Sequence, residues 1–364
     1  MKELGSSYFE YRKHKTDFNT EVTAGVTTFL TMAYIMFLNP FILSGEFAGT
    51  DAGFFDFGSV FTATIVATAI ACFIMAFYGK TWPIGLAPGM GINAFVAYTI
   101  VAGNGYTPAE ALGAVLVAGI LFLIVSLTPA RAWIINSIPK SLKLGIGAGI
   151  GLFLAIIGLE IMGVIADHPV TFVTLGNLKH PLLLLGALAF VVMVVLEKKK
   201  IKGNIIIAIL GFSVLAWLPI WGWTGSTIEG GTSLAKFNGV FDFPPYPGYL
   251  FKFEIGKVLA VSGLSTLFTL FFIDFFDTAG TLTSVANISG KIDSRGKIQD
   301  IDKAMLSDSV GTVAGALVGT STVTSYVESG AGVKAGGRTG MTALVIGVLF
   351  LLCLGFAPLA TSLP

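Results

Sequence analysis

Charge is scarce in this chain. Lysine, arginine, aspartate and glutamate make up 12% of 364 residues, about half the share of a soluble domain. The formal net charge is +1, so no basic patch invites nucleic acid, and no nucleic-acid partner is expected. The only two cysteines, Cys72 and Cys353, fall in apolar runs. They read as small hydrophobes, not as a disulfide or a thiolate metal site. The three histidines, His14, His168 and His180, lie in tail or loop positions, so no metal or other cofactor is expected. A cleavable signal is missing too, because residues 1–21 are polar and charged with no apolar core. That stretch reads as a cytoplasmic N-terminal tail.

Apolar residues fill the space that charge leaves. They make up 54% of the chain, with 45 glycines and a mean hydropathy of +0.83. High glycine suits close helix packing and broken helices in lipid. A membrane-spanning helix needs about 20 apolar residues. The runs near 22–44, 60–79, 84–102, 111–128, 141–163, 182–197 and 203–222 meet that need, as do those near 257–287, 301–318, 320–336 and 340–358. The expectation is therefore an all-α polytopic membrane protein of about eleven segments, seated in the plasma or inner membrane with lipid as its surroundings. With the N-terminus cytoplasmic, 18 of the 22 Lys and Arg fall on the cytoplasmic side. Only Lys179, Lys236, Lys252 and Lys257 fall outside, as the positive-inside rule requires. The Lys198–Lys200 run reads as an anchor near anionic lipid, and Glu160 as a group meeting water or headgroups near the outer end of segment 5.

Seven segments precede the 223–256 loop and four follow it. An odd first block starts the second in the opposite orientation, as an inverted repeat requires. The third member of each block is irregular: TWPIGLAPGMGINAFVAY in the first, GTSTVTSYVESGAGVKAGG in the second. Interrupted segments at matching places point to a transporter binding site, since their freed backbone groups are tolerable only where they line a cavity.

Between them, FFIDFFDTAGTLTSVANISG sets Asp274 and Asp277 inside an apolar run. A spacing of i,i+3 puts both on one helix face. A charge at bilayer depth costs roughly 2.5–3.5 kcal/mol on insertion scales, so such residues face a cavity or a partner. Glu328 adds a third acid in segment 10, and Asp308, in MLSDSVGTVAG, a fourth in segment 9. Two acids one turn apart cannot both ionise cheaply. One of the Asp274/Asp277 pair, with Glu328, is thus a candidate proton carrier; the other role for Asp274 is to brace segment 8 against a Ser or Thr.

The strings VTAGVTTFLTMAYIMFLNP, GLAPGMGINAFVAY, DFFDTAGTLTSVAN and GTSTVTSYVESGAGVKAGGRTGMTALV resemble the adenine/guanine/hypoxanthine permeases. These form the AzgA-like branch of the nucleobase/cation symporter-2 family, and the resemblance covers nearly the whole chain. It implies a fourteen-segment fold of two inverted seven-segment repeats, with segments 1–4 and 8–11 as a core and 5–7 and 12–14 as a gate. The core would then be 22–128 and 257–358 and the first half of the gate 141–222. Segments 12–14 would follow Pro364, so they are not expected in this chain. The implied activity is import of purine nucleobases by proton symport, through alternating access, with no enzyme chemistry; related carriers often pair, which implies a homodimer.

The resemblance also implies that Asp277 and Glu328 contact the purine, and that Asp274 and Asn93 sit at functional positions. A carboxylate accepts two parallel hydrogen bonds from a base edge, strongly so where water is scarce. The alternative for either acid is to satisfy a helix terminus or a broken segment. Asn93 meets a base edge or the freed backbone, and Phe95 stacks on the base or belongs to ordinary packing. Thr278 and Ser325 flank the acids and orient them or pack the helices. Asp308 ties the broken helices together or carries protons. Three other readings compete. One is a xanthine, uracil or anion carrier of the same fold, and another is a purine-binding remnant that does not transport. The third, an intramembrane aspartyl protease, needs two aspartates on separate helices, whereas Asp274 and Asp277 share one.

Overall fold

A computed structural model of the chain describes residues 8–45, 54–128, 140–168, 171–201, 203–218, 237–242, 246, 248–293 and 297–363. Lys2, Arg131, Lys202, Lys236, Arg295 and the end of the seventh expected segment (219–222) lie outside the described residues. Contacts divide the chain into two units, Met1–Gly147 with Pro244–Leu354, and Ala148–Phe243 with Gly355–Pro364.

The first unit holds every candidate site residue. Its first span is α1 (Phe18–Met32) followed, after a break at Ala33 and Tyr34, by α2 (Ile35–Leu43). Next comes α3 (Phe57–Ile74), whose end widens into a π turn over Met75–Gly79. The third segment is broken as the sequence predicts: strand β1 (Leu86–Pro88), helix α4 (Met90–Ala94), then a π-helical stretch Phe95–Gly103. Helix α5 (Pro108–Leu127) starts at a capping box between Thr107 and Glu110, which satisfies two orphan N–H groups at once.

Helix α6 (Lys140–Ile161) contains the division between the units, at Gly147 and Ala148. In the second unit, hairpin strands β2 (Ile165–His168) and β3 (Phe172–Leu175) follow, then α7 (Pro181–Lys198) and α8 (Asn204–Trp217). Helix α7 leaves Leu184, Leu188, Phe190, Val191 and Val194 exposed; a helix apolar on most faces belongs in lipid. Glu160 is exposed. Within this unit the Trp217 indole N–H donates to the Ser362 carbonyl at 2.6 Å, and Asn238 N–H to Ser362 Oγ at 2.8 Å.

The first unit resumes with a short α9 (Gly256–Leu259) and α10 (Leu264–Ser289). Helix α11 (Ile301–Val318) leads to the second broken segment: β4 (Val323–Ser325), then α12 (Ser329–Lys334). Helix α13 (Gly340–Leu352) follows, and α14 (Ala357–Ala360), which belongs to the second unit, ends the described helices. The all-α expectation thus needs one amendment, two short strand pairs. Strands β1 and β4 pair antiparallel, Leu86 with Ser325 and Pro88 with Val323. The two interrupted segments spend on each other backbone groups that neither could satisfy as a helix.

Among the described residues, five helical stretches are long and apolar enough to cross a membrane: Phe18–Leu43, Phe57–Gly79, Pro108–Leu127, Pro181–Lys198 and Val261–Ser289. Of the other expected spans, those near 84–102, 320–336 and 340–358 are broken or bent, that near 203–222 is described as a shorter helix, and that near 301–318 carries acids. Close approach rather than oil-like collapse packs such helices. A Cβ on Gly332 would overlap Thr28 Oγ1 and the Ala24 carbonyl, and one on Gly25 would overlap Val345. Glycine at these points lets α12 and α13 lie against α1.

Contacts within the first unit agree with the alternating crossings. One end gathers Tyr8, whose hydroxyl donates to the Phe77 carbonyl at 2.7 Å, with Glu10 and Lys80, 3.7 Å apart. Trp82 donates to the Asp300 carbonyl, and Gly340 N–H to the Lys80 carbonyl, at that same end. The other end gathers Asp56 with Tyr249, Phe251 with Leu317, and Lys257 with Gly105 and Glu110.

Within the stretch expected as an N-terminal tail, Phe9 and Tyr11 are buried. Its imidazole, His14, is held below the ordinary histidine value of 6.5 by burial and by Lys291 and Lys13, against the pull of Glu10 and Glu21. A lowered folded-state value means that His14 supports this packing above the unfolded value and ceases to as pH falls through the folded one. Amide protection over residues 8–16 is therefore expected to drop between about pH 7.5 and about pH 5.5. Equal protection at both would contradict it.

Glu21 is the other acid that the tail reading missed. It is fully buried and accepts from Thr342 Oγ1 at 2.6 Å and from Arg338 N–H at 2.9 Å, at the start of α13. A carboxylate there meets the orphan N–H groups and the positive helix end together. Glu21→Ala is expected to cost about 3 kcal/mol by leaving those donors unpaired, read as a lower melting midpoint. Glu21→Gln, which keeps an acceptor, loses less.

Candidate functional site

Four acids meet in the interior of the first unit. Asp274 and Asp277 stand on α10, as the i,i+3 spacing predicts. Asp308 stands on α11, and Glu328 opens α12. Asp274 and Asp308 are fully buried; Asp277 and Glu328 are half-buried.

Asp308 is the best satisfied of the four. Its Oδ1 accepts from Thr278 Oγ1 at 2.7 Å, and its Oδ2 from Ser325 N–H at 2.7 Å and from the Ser325 hydroxyl. It therefore ties α10 to β4 and holds the strand that precedes Glu328. Thr278 and Ser325 orient Asp308, although their positions in the sequence pair them with Asp277 and Glu328. The expected tie between the two broken segments is made by β1–β4 pairing and by the Tyr326 hydroxyl, which donates to the Pro88 carbonyl.

Asp274 touches Thr312, whose hydroxyl lies 3.0 Å from Asp274 Oδ2 and 2.8 Å from the Val323 carbonyl. This is the Ser/Thr brace that the sequence offered as one of two roles. Asp274 Oδ1 is buried without a hydrogen-bond partner.

Asp277 stands one turn beyond Asp274 on α10, which packs against β4 and against α12, the helix that Glu328 opens. Glu328 accepts from the Tyr34 hydroxyl at 2.8 Å through Oε1. Tyr34 is buried at the break between α1 and α2. Nothing in TMAYIMF marks it beforehand except that a hydroxyl sits in an apolar run. Asn93 is fully buried on α4 and donates through Nδ2 to Asn39 Oδ1 at 2.7 Å, so its partner is a side chain and not the freed backbone. Asn39 was also missed; its signal was an amide beside Pro40 in mid-span. Phe95 is half-buried where α4 passes into the π-helical stretch.

Two half-helices meeting at a paired strand, with acids from three elements around them, define a multi-pass inverted-repeat transporter. The Xan_ur_permease profile, described as the permease family, matches residues 19–364. The chain belongs to that family, and so is a membrane transporter and not an enzyme. It is 37% identical over 360 residues to adenine permease AdeQ of Escherichia coli strain K12, covering 99% of this chain and 76% of that protein. It is 38% identical over 360 residues to guanine/hypoxanthine permease PbuO of Bacillus subtilis strain 168, covering 98% and 79%. The resemblance seen in its motifs is therefore one of whole sequence. Its fold is similar to the transmembrane domain of a cyanobacterium bicarbonate transporter, BicA, with a TM-score of 0.65 at 19% identity, covering 95% of this chain and 85% of that one.

Proposed function

We propose that the protein imports purine nucleobases across the cell membrane by proton symport, with its N-terminus cytoplasmic and its core moving past its gate in alternating access. Asp277 and Glu328 hold the base. The observation that carries this is that two half-buried acids, Asp277 on α10 and Glu328 at the start of α12, stand on helices packed against each other beside two half-helices. With Oε1 bonded to Tyr34, Glu328 keeps Oε2 for an N–H of the base, and Asp277 takes a second. Names of relatives that carry adenine or guanine and hypoxanthine favour purines over uracil or xanthine.

Hydrogen-bond counting supports the proton. Thr312 has one hydroxyl proton and two acceptors within 3.0 Å. Both contacts are satisfied together when Asp274 carries a proton and gives it to Thr312, which gives its own to the Val323 carbonyl. A potential of 100 mV supplies about 2.3 kcal/mol per proton, enough to concentrate a base about fiftyfold.

Purified chain should be stabilised on heating by adenine, guanine or hypoxanthine and not by uracil. Stabilisation by uracil alone would move the substrate class. Tyr34→Phe is expected to weaken purine binding about tenfold, because an unheld carboxylate must be ordered on binding; titration calorimetry reads this directly, and unchanged affinity would remove Tyr34 from the site.

A further inference from the structure

A second set of buried polar residues in the first unit is hydrogen-bonded within itself and to none of the four acids. Thr64, on α3, lies 2.7 Å from the carbonyl of Val60. A carbonyl can only accept, so the hydroxyl proton of Thr64 is committed there. Asn39 approaches the same hydroxyl at 2.6 Å and Thr320 Oγ1 at 2.8 Å. With its proton spent, Thr64 can only accept, and Asn39 must turn its NH2 toward it. The Asn39 carbonyl oxygen then faces Asn93, 2.7 Å away. Asn93 must answer with its own NH2. What remains of Asn93 is Oδ1, fully buried and without a hydrogen-bond partner.

Side-chain amides usually choose their orientation by turning over. Here three successive contacts forbid the turn, because reversing any amide sets two acceptors, or two donors, against each other. The helix that carries Asn93 packs against α10, the helix of Asp274 and Asp277, so the orphaned oxygen belongs to an element that adjoins the acids. A buried acceptor left unpaired is costly, and the cost is removed when a donor arrives.

We propose that Thr64 and Asn39 are positioning residues that lock Asn93 as a hydrogen-bond acceptor, and that the site therefore selects a base presenting an N–H at that point over one presenting a carbonyl or a bare ring nitrogen. This rests on the purine reading above and deepens it. Asp277, Glu328 and Asn93 Oδ1 are then all acceptors, so the pocket reads donors on the base from more than one side.

The test is competition by adenine, guanine, hypoxanthine and their singly N-methylated derivatives against radiolabelled hypoxanthine on the purified full chain. One blocked N–H beyond those that Asp277→Asn and Glu328→Gln desensitise should cost the wild type about tenfold or more. Thr64→Val, which keeps the shape and drops the hydroxyl, should bring that ratio toward one. Thr64→Ser should preserve it. Asn39→Ala frees the same amide and stands in if Thr64→Val does not fold. Because the readout is a ratio of inhibition constants, a general loss of folded protein does not move it. The wild-type ratio kept in both Thr64→Val and Asn39→Ala would overturn the proposal, as would a wild type indifferent to every such N–H. A wild type that binds no purine removes the underlying reading instead, and this inference with it.

Discussion

Glu328→Gln and Asp277→Asn should each lower purine affinity by about ten- to a hundredfold, the worth of a hydrogen bond to a charged group in a dry site. Both replacements keep size and an acceptor oxygen, and the Tyr34 hydroxyl, 2.8 Å from Glu328 Oε1, can still donate to the glutamine. The fold should therefore survive, and the loss should fall on ligand binding. Uptake should fall in step with affinity, because Asp274, which carries the proton, is untouched in both variants. Wild-type affinity and uptake in both variants would remove these residues from the site.

The second large effect lies at Asp308, where the expected loss is structural. Asp308→Ala leaves the Ser325 N–H, the Ser325 hydroxyl and the Thr278 hydroxyl without their acceptor. Three buried donors stranded at once should cost about 3 kcal/mol or more. Asp308→Asn keeps one acceptor but turns an NH2 toward a donor, so it should lie between alanine and wild type. Amide exchange reads the difference locally: Ser325 should lose protection while residues in α7 do not change. Because β4 leads into Glu328 three residues on, ligand affinity should fall with Ser325 protection. Unchanged protection in Asp308→Ala would mean that β1 alone holds the strand.

The difference between these two effects shows what the sequence could and could not declare. Asp274, Asp277 and Glu328 were legible because acids in apolar runs have few innocent explanations. The broken third and tenth segments were legible because glycine, proline and small hydroxyl residues cannot sustain a span. Their mutual strand pairing was not, since three residues in each strand are too few to leave a pattern. Side-chain partners from distant segments stayed hidden for the same reason. Tyr34 meets Glu328 across 294 positions, and Glu21 meets Thr342 across 321. Glu21 read as the last acid of a tail, although an acid at the edge of an apolar run also suits a neighbouring helix start. Thr278 and Ser325 were singled out rightly as polar groups near acids, but adjacency in sequence pointed them to Asp277 and Glu328. A helix turn and a strand reversal point them to Asp308 instead.

The most direct test of purine–proton symport is uptake of radiolabelled hypoxanthine, guanine and adenine into cells that lack their own purine carriers, with and without a protonophore. The account predicts accumulation above the outside concentration that the protonophore abolishes. Accumulation indifferent to the protonophore, or none from well-expressed protein that binds the base, would contradict it.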